Sequence, residues 1–112
     1  MKERQLNDLM LEAFPELAQP FDEYASWQDG PDTGCFLTYE DLLLPLARRA
    51  LEEGDDETAV RVAAFIEELL GLGEDYAENV ATVALLEGLK TSHGESARRH
   101  LGERGLVAFD EL

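Results

Sequence analysis

One cysteine, Cys35, stands among 112 residues, so no disulfide can form within the chain and no Cys-x-x-Cys pair is present for redox chemistry or zinc. Basic residues are scarce: nine lysines and arginines face 25 aspartates and glutamates, a formal net charge of −16. A chain with that balance repels phosphate backbones and anionic lipid, which argues against nucleic acid and membrane surfaces as partners. No apolar run approaches the ~20 residues that cross a bilayer. The opening MKERQLNDLM interleaves charged and apolar residues instead of carrying the apolar block of a secretory signal, so a cytoplasmic location is expected. A glycine-rich phosphate loop, a His-Glu-x-x-His pair and the alternating acids of a calcium loop are all missing. No segment alternates apolar and polar residues well enough to predict a strand.

What is present is helical pattern and acid. Hydrophobic residues make up 45% of the chain, enough for one core, and a single domain over residues 1–112 is expected. Residues 54–70 (GDDETAVRVAAFIEELL) and 73–89 (GEDYAENVATVALLEGL) read as one element written twice. Each opens with a glycine that lets the backbone leave one helix, then two acids that can cap the next. Such units form antiparallel hairpins. In the first copy Val62, Phe65, Ile66 and Leu69 make an inward stripe. The second is apolar nearly all round (Ala77, Val80, Ala81, Val83, Ala84, Leu85, Leu86, Leu89), which predicts a central helix with Val83 and Leu86 both buried.

Upstream, Leu6, Leu9, Met10, Ala13 and Phe14 line one face of a helix ended by Pro15, and Pro20 is expected to close a short turn after it. Residues 28–34 (QDGPDTG) are the clearest loop. Thr38 reads as the N-cap of a leucine-rich helix reaching Gly54, kinked at Pro45. KTSHGES reads as a turn, 95–102 as a short helix, and the apolar tail Leu106, Val107, Phe109 and Leu112 as packing back on the bundle. The architecture expected is all-α: about five helices in an irregular, HEAT-like stack of hairpins.

Chemistry-bearing constellations are thin. His93 and His100 have neither cysteine nor a third histidine beside them, so no metal site and no cofactor are expected. Glu67, Glu68 and Glu87 offer carboxylates without a nucleophile or a positioned base, so catalysis is not expected. Cys35, between Gly34 and Phe36, reads as a buried thiol. Two constellations suit a protein partner. Phe21, Tyr24 and Trp27 flank the 28–34 loop and are either exposed binding anchors or core, with core packing preferred. Asp55, Asp56, Glu74 and Asp75 open the two repeat copies and offer acid to a basic partner, although a small acidic protein needs no such partner to explain its charge.

The segments FPEL, YEDLLLPLARRAL, FIEELL…NVATVALLEGL and HLGERG…FDEL together resemble a family of small, uncharacterised, all-helical bacterial proteins associated with the immunity proteins of polymorphic toxin systems. Where similar proteins often carry a proline after the Leu-Gly, this chain has Glu103. The resemblance implies a non-enzymatic binder that neutralises a toxin, and no catalytic residues. The alternative is a structural or regulatory adaptor that homo-oligomerises through its leucine-rich helix.

Overall fold

A computed structural model describes residues 1–112, with six helices and no strand. They are α1 (Glu3–Ala13), α2 (Ala18–Ala25), α3 (35–53), α4 (Asp56–Leu70), α5 (75–100) and α6 (Glu103–Asp110). The sixth, α6, is the tail that periodicity leaves without an assigned form.

The repeat's glycines share a backbone conformation. Gly54 and Gly73 take φ of 69° and 71°, the left-handed conformation open to glycine; Gly54 directly caps α3, whereas Gly73 turns the chain two residues beyond Gly71, the cap of α4. Asp55 then caps α4, its carboxylate accepting from the Thr58 amide at 3.1 Å and the Thr58 hydroxyl at 2.7 Å. The chain reverses at each glycine, so α4 runs antiparallel to both neighbours. Helices α3 and α5 consequently run parallel: Leu44 meets Gly88, Arg48 meets Ser92 and Glu52 meets His93. The approach at Leu44 is close. A Cβ on Gly88 would come within 2.6 Å of a Leu44 methyl, so any larger residue there must displace that methyl for α5 to lie on α3.

One core of 26 buried residues joins all six helices. The expected α4 stripe of Val62, Phe65, Ile66 and Leu69 is buried as a unit. Phe65 packs edge-on against Phe14 with ring centroids 5.5 Å apart, and Tyr39 lies 5.9 Å from Phe65 while its hydroxyl donates to the Leu6 carbonyl. Arg61 reaches from α4 to the end of α1, donating to the Ala13 carbonyl and to both Glu16 oxygens.

Several local expectations need correction. Helix α3 starts at Cys35, not after Thr38; the Thr38 hydroxyl donates back to the Gly34 carbonyl from inside the helix. Pro20 does not close a turn but sits in the first turn of α2, where its missing amide hydrogen has no intrahelical partner to lose. Pro45 is met by widening. Its ring collides with the carbonyl four residues back, and the turns just before it, Tyr39–Leu43, are π-helical, with the Leu44 amide bonded to the Tyr39 carbonyl. A second π-helical stretch, Val80–Leu86, packs against the first. In such wide turns each residue advances by a smaller angle, which brings Leu86 round to the core, where it is fully buried; Val83, in line with the exposed Asp75, Asn79 and Glu87, stays out and is 49% exposed. The expected turn in KTSHGES is only a kink inside α5, where His93 alone leaves helical geometry (φ −141°, ψ 41°). Hydroxyls of Thr91 and Ser92 bonded to the carbonyls of Glu87 and Gly88 accompany that bend.

Two helices take their N-terminal acceptor from elsewhere in the chain. Glu3 on α1 accepts from the Cys35 amide at 2.6 Å and from the Tyr76 hydroxyl, tying the starts of α1, α3 and α5 together. Glu67 on α4 accepts from the amides of Arg104 and Gly105 at 2.8 and 3.0 Å, holding the start of α6. Partial burial pulls the Glu3 carboxyl upward, but its bonds to Cys35 and Tyr76 outweigh this and hold it below the ordinary glutamate value. A carboxyl depressed on folding contributes stability above its unfolded value, and loses it as pH falls through the folded one. Glu3→Gln should therefore cost on the order of 1 kcal/mol near neutral pH, with the loss shrinking as the buffer is taken below pH ~4. Urea titrations of both proteins across that range check it, and a pH-independent gap would show that the Glu3 charge is irrelevant.

Candidate partner-binding site

The seven acids and aromatics singled out in the sequence do not form one surface. Asp55 and Asp56 lie at the start of α4 and Glu74 and Asp75 just beyond its end, and a 15-residue helix is about 22 Å long. Equivalent positions in successive antiparallel helices fall at opposite ends of the hairpin, so repeat symmetry separates these acids. Asp55 is engaged in capping, Asp56 lies 3.4 Å from the His100 ring, and Glu74 accepts from the Met1 ammonium at 2.7 Å; the exposed Asp75 opens α5. The aromatics divide. Phe21 is core, Tyr24 is half-buried, and Trp27 is 90% exposed, against the preference for core packing. The turn after α2 carries Trp27 away from the protein, in company with the exposed acids Asp22, Glu23 and Asp29.

The Tyr24 hydroxyl donates to Asp41 at 2.6 Å, which fixes the end of α2 to α3. Asp41 belongs to an open groove of about 640 Å³ where α3 crosses α5 at the two π-helical stretches. Leu44, Pro45, Val83 and Ala84 supply its apolar part, and Glu40, Asp41 and Glu87 its acids. Its one cation, Arg48, is engaged: Nε donates to the Ser92 hydroxyl at 3.0 Å, and the guanidinium also reaches the Gly88 carbonyl at 3.4 Å. Sequence reasoning misses this groove. Glu40 and Asp41 read as first-turn capping acids, and Val83 reads as core because its helix is apolar on nearly every side, although Asp75, Asn79 and Glu87 at four-residue spacing mark the face it shares.

Elsewhere the polar clusters tie elements together. Burial pushes the Cys35 thiol up to about 12, so it stays protonated and unreactive, as expected of a buried thiol. Glu52, His93 and Ser92 stand in a row, with Nε2 of His93 3.1 Å from Glu52 and Nδ1 2.7 Å from the Ser92 oxygen. The Ser92 hydroxyl donates to the Gly88 carbonyl and accepts from Arg48, so its proton is aimed at backbone and the row braces the kink without freeing a nucleophile. Glu67, Glu68 and Glu87 serve separate places: Glu67 caps α6, Glu68 is exposed on α4, and Glu87 lines the groove. No group of three or more histidines, cysteines or acids is arranged to hold a metal ion, and no helix is long and apolar enough to cross a membrane.

No curated protein and no solved structure matches the chain. One family does, over residues 7–110, all of the core described above but Leu6: this chain belongs to the family described as Domain of unknown function (DUF7674).

Proposed function

We propose that this domain is a non-enzymatic, cytoplasmic binder of a basic protein, and specifically an immunity-type inhibitor that neutralises a basic toxin. One observation carries the reading: the acid is left uncompensated in the folded protein. Four arginines and the Met1 ammonium face carboxylates of Glu16, Asp32, Glu67, Glu74 and Asp110. That leaves twenty of the 25 acids without such a partner. A nuclease-type toxin, whose cleft must attract phosphate, presents the complementary charge. The resemblance to toxin-immunity proteins agrees with that chemistry. The adaptor alternative is less well supported, because Leu43 and Leu44 of the leucine-rich helix are in the core and Leu42, Leu46 and Leu51 pack against it.

Long-range charge governs how fast such a complex forms, while a small desolvated patch governs how long it lasts. The exposed Trp27 is the anchor for the second role. Trp27→Ala should raise the dissociation rate on the order of tenfold or more with little change in association. Reversing Asp55, Asp56 and Glu74 to lysine should slow association, and added salt should do the same to the unaltered protein. The measurement is binding kinetics across a salt series against the product of the neighbouring gene. Absence of binding, or binding indifferent to both salt and charge reversal, would replace the inhibitor reading with the adaptor.

A further inference from the structure

The groove between α3 and α5 specifies how a basic partner is held. We infer that it seats an amphipathic helix of that partner, with apolar residues on Val83 and Pro45 and arginine or lysine heads on Glu40, Asp41 and Glu87; the inference rests on the basic-protein reading above. Three observations carry it. First, the groove has apolar surface to give: Val83 is half exposed and Pro45 is exposed, beside the methyls of Leu44 and Ala84. Second, its charge is one-sided. Three carboxylates line it, and Arg48 is already bonded to Ser92 and the Gly88 carbonyl, so an incoming cation meets acid that has no cation of its own. Third, its walls are two parallel helices. Successive wall residues, Val83, Glu87 and Thr91 on one side and Asp41, Pro45 and Arg48 on the other, recur about once per helical turn. A third helix laid along them presents its own i, i+3, i+4 and i+7 side chains at a matching repeat. An extended peptide has no such match, and no strand edge is present to receive one.

The test uses the full chain and two tryptophan-free synthetic peptides of ~18 residues, or five turns. One places leucine on one helical face and arginine on the other; the second has the same composition scrambled. Affinity is read by calorimetry, with Trp27 emission as a second signal. The amphipathic peptide should bind about tenfold tighter than the scrambled one, and Val83→Ser and the triple Glu40→Gln, Asp41→Asn, Glu87→Gln should each remove most of that advantage. These positions are exposed, and unchanged melting temperatures confirm folding. A distal triple of exposed acids outside the groove, Asp8→Asn, Glu12→Gln, Glu68→Gln, should leave the preference between peptides in place. If both peptides bind alike and the groove and distal triples weaken them equally, the groove assignment is overturned while the basic-partner reading stands. If neither peptide binds and no basic protein is retained by the domain, both are overturned.

Discussion

Leu86→Asp should leave the chain unfolded, whereas Val83→Asp, three residues earlier on the same helix, should fold normally. Leu86 is fully buried at the centre of α5, and Lys90, one turn further on, already donates to the Phe109 and Leu112 carbonyls. Burying an unpaired charge costs several kcal/mol, to which the lost leucine contacts add about 2–5 kcal/mol. That total rivals the ~5–15 kcal/mol by which a domain of this size is stable. Val83 is half exposed, so its aspartate keeps contact with water and should shift stability by about 1 kcal/mol or less. Circular dichroism and urea unfolding of the two variants decide the matter. Equal destabilisation would mean that the π-helical stretch is not wound as described and that Val83 faces the core.

Glu67→Ala should release α6 from the bundle. The Glu67 carboxylate accepts from the Arg104 and Gly105 amides, and the Arg104 guanidinium stands 3.7 Å from it. Hydrogen bonds to a charged group contribute about 1.5–3 kcal/mol each when both partners are shielded, less where water competes. Glu67 is half-buried, and together the two bonds make this the second largest single-site effect expected, about 2–3 kcal/mol. Amide hydrogen exchange gives it a location: protection should fall across residues 103–110 first, with α3, α4 and α5 little changed. Uniform loss across the chain would show that α6 is inseparable from the core. The neighbourhood is tight, since a Cβ on Gly102 would lie 2.9 Å from the same carboxylate, so Gly102→Ala should produce a weaker version of the effect.

These two sites also mark where sequence reasoning succeeds and where it stops. Elements whose cause is local are legible. Apolar periodicity finds α1 and α4, and the glycines at 54 and 73 with the following acids find both reversals. The crowded apolar pattern around Leu86 identifies the central helix. Elements whose cause is distant are not. Nothing between residues 34 and 38 announces a helix start, because the acceptor for the Cys35 amide is Glu3. Nothing near Glu103 announces α6, because its acceptor is Glu67. Val83 is misplaced because the apolar pattern wraps the helix and hides the four-residue line of Asp75, Asn79 and Glu87 on which Val83 falls. The candidate site suffers from the same blindness. Trp27 carries no local mark of exposure, and the acids of the groove are indistinguishable from capping acids until α3 and α5 are laid side by side. Net charge is the one property of the site read correctly without coordinates, since it depends on composition alone.

The borrowed acceptors of α3 and α6 bear on the order in which the molecule assembles. The amide of Cys35 waits for a residue 32 positions earlier, and that of Gly105 for one 38 positions earlier. The first turns close locally, Thr38 onto Gly34 and Leu106 onto Gly102, but the free amides ahead of them gain a protein acceptor only when a long loop has closed. Capping and tertiary docking are then one event at these two places. A fragment carrying α6 without α4, or α3 without α1, keeps its local turns but loses its cap, so each of these helix starts is secured by the assembled fold and not by its own segment.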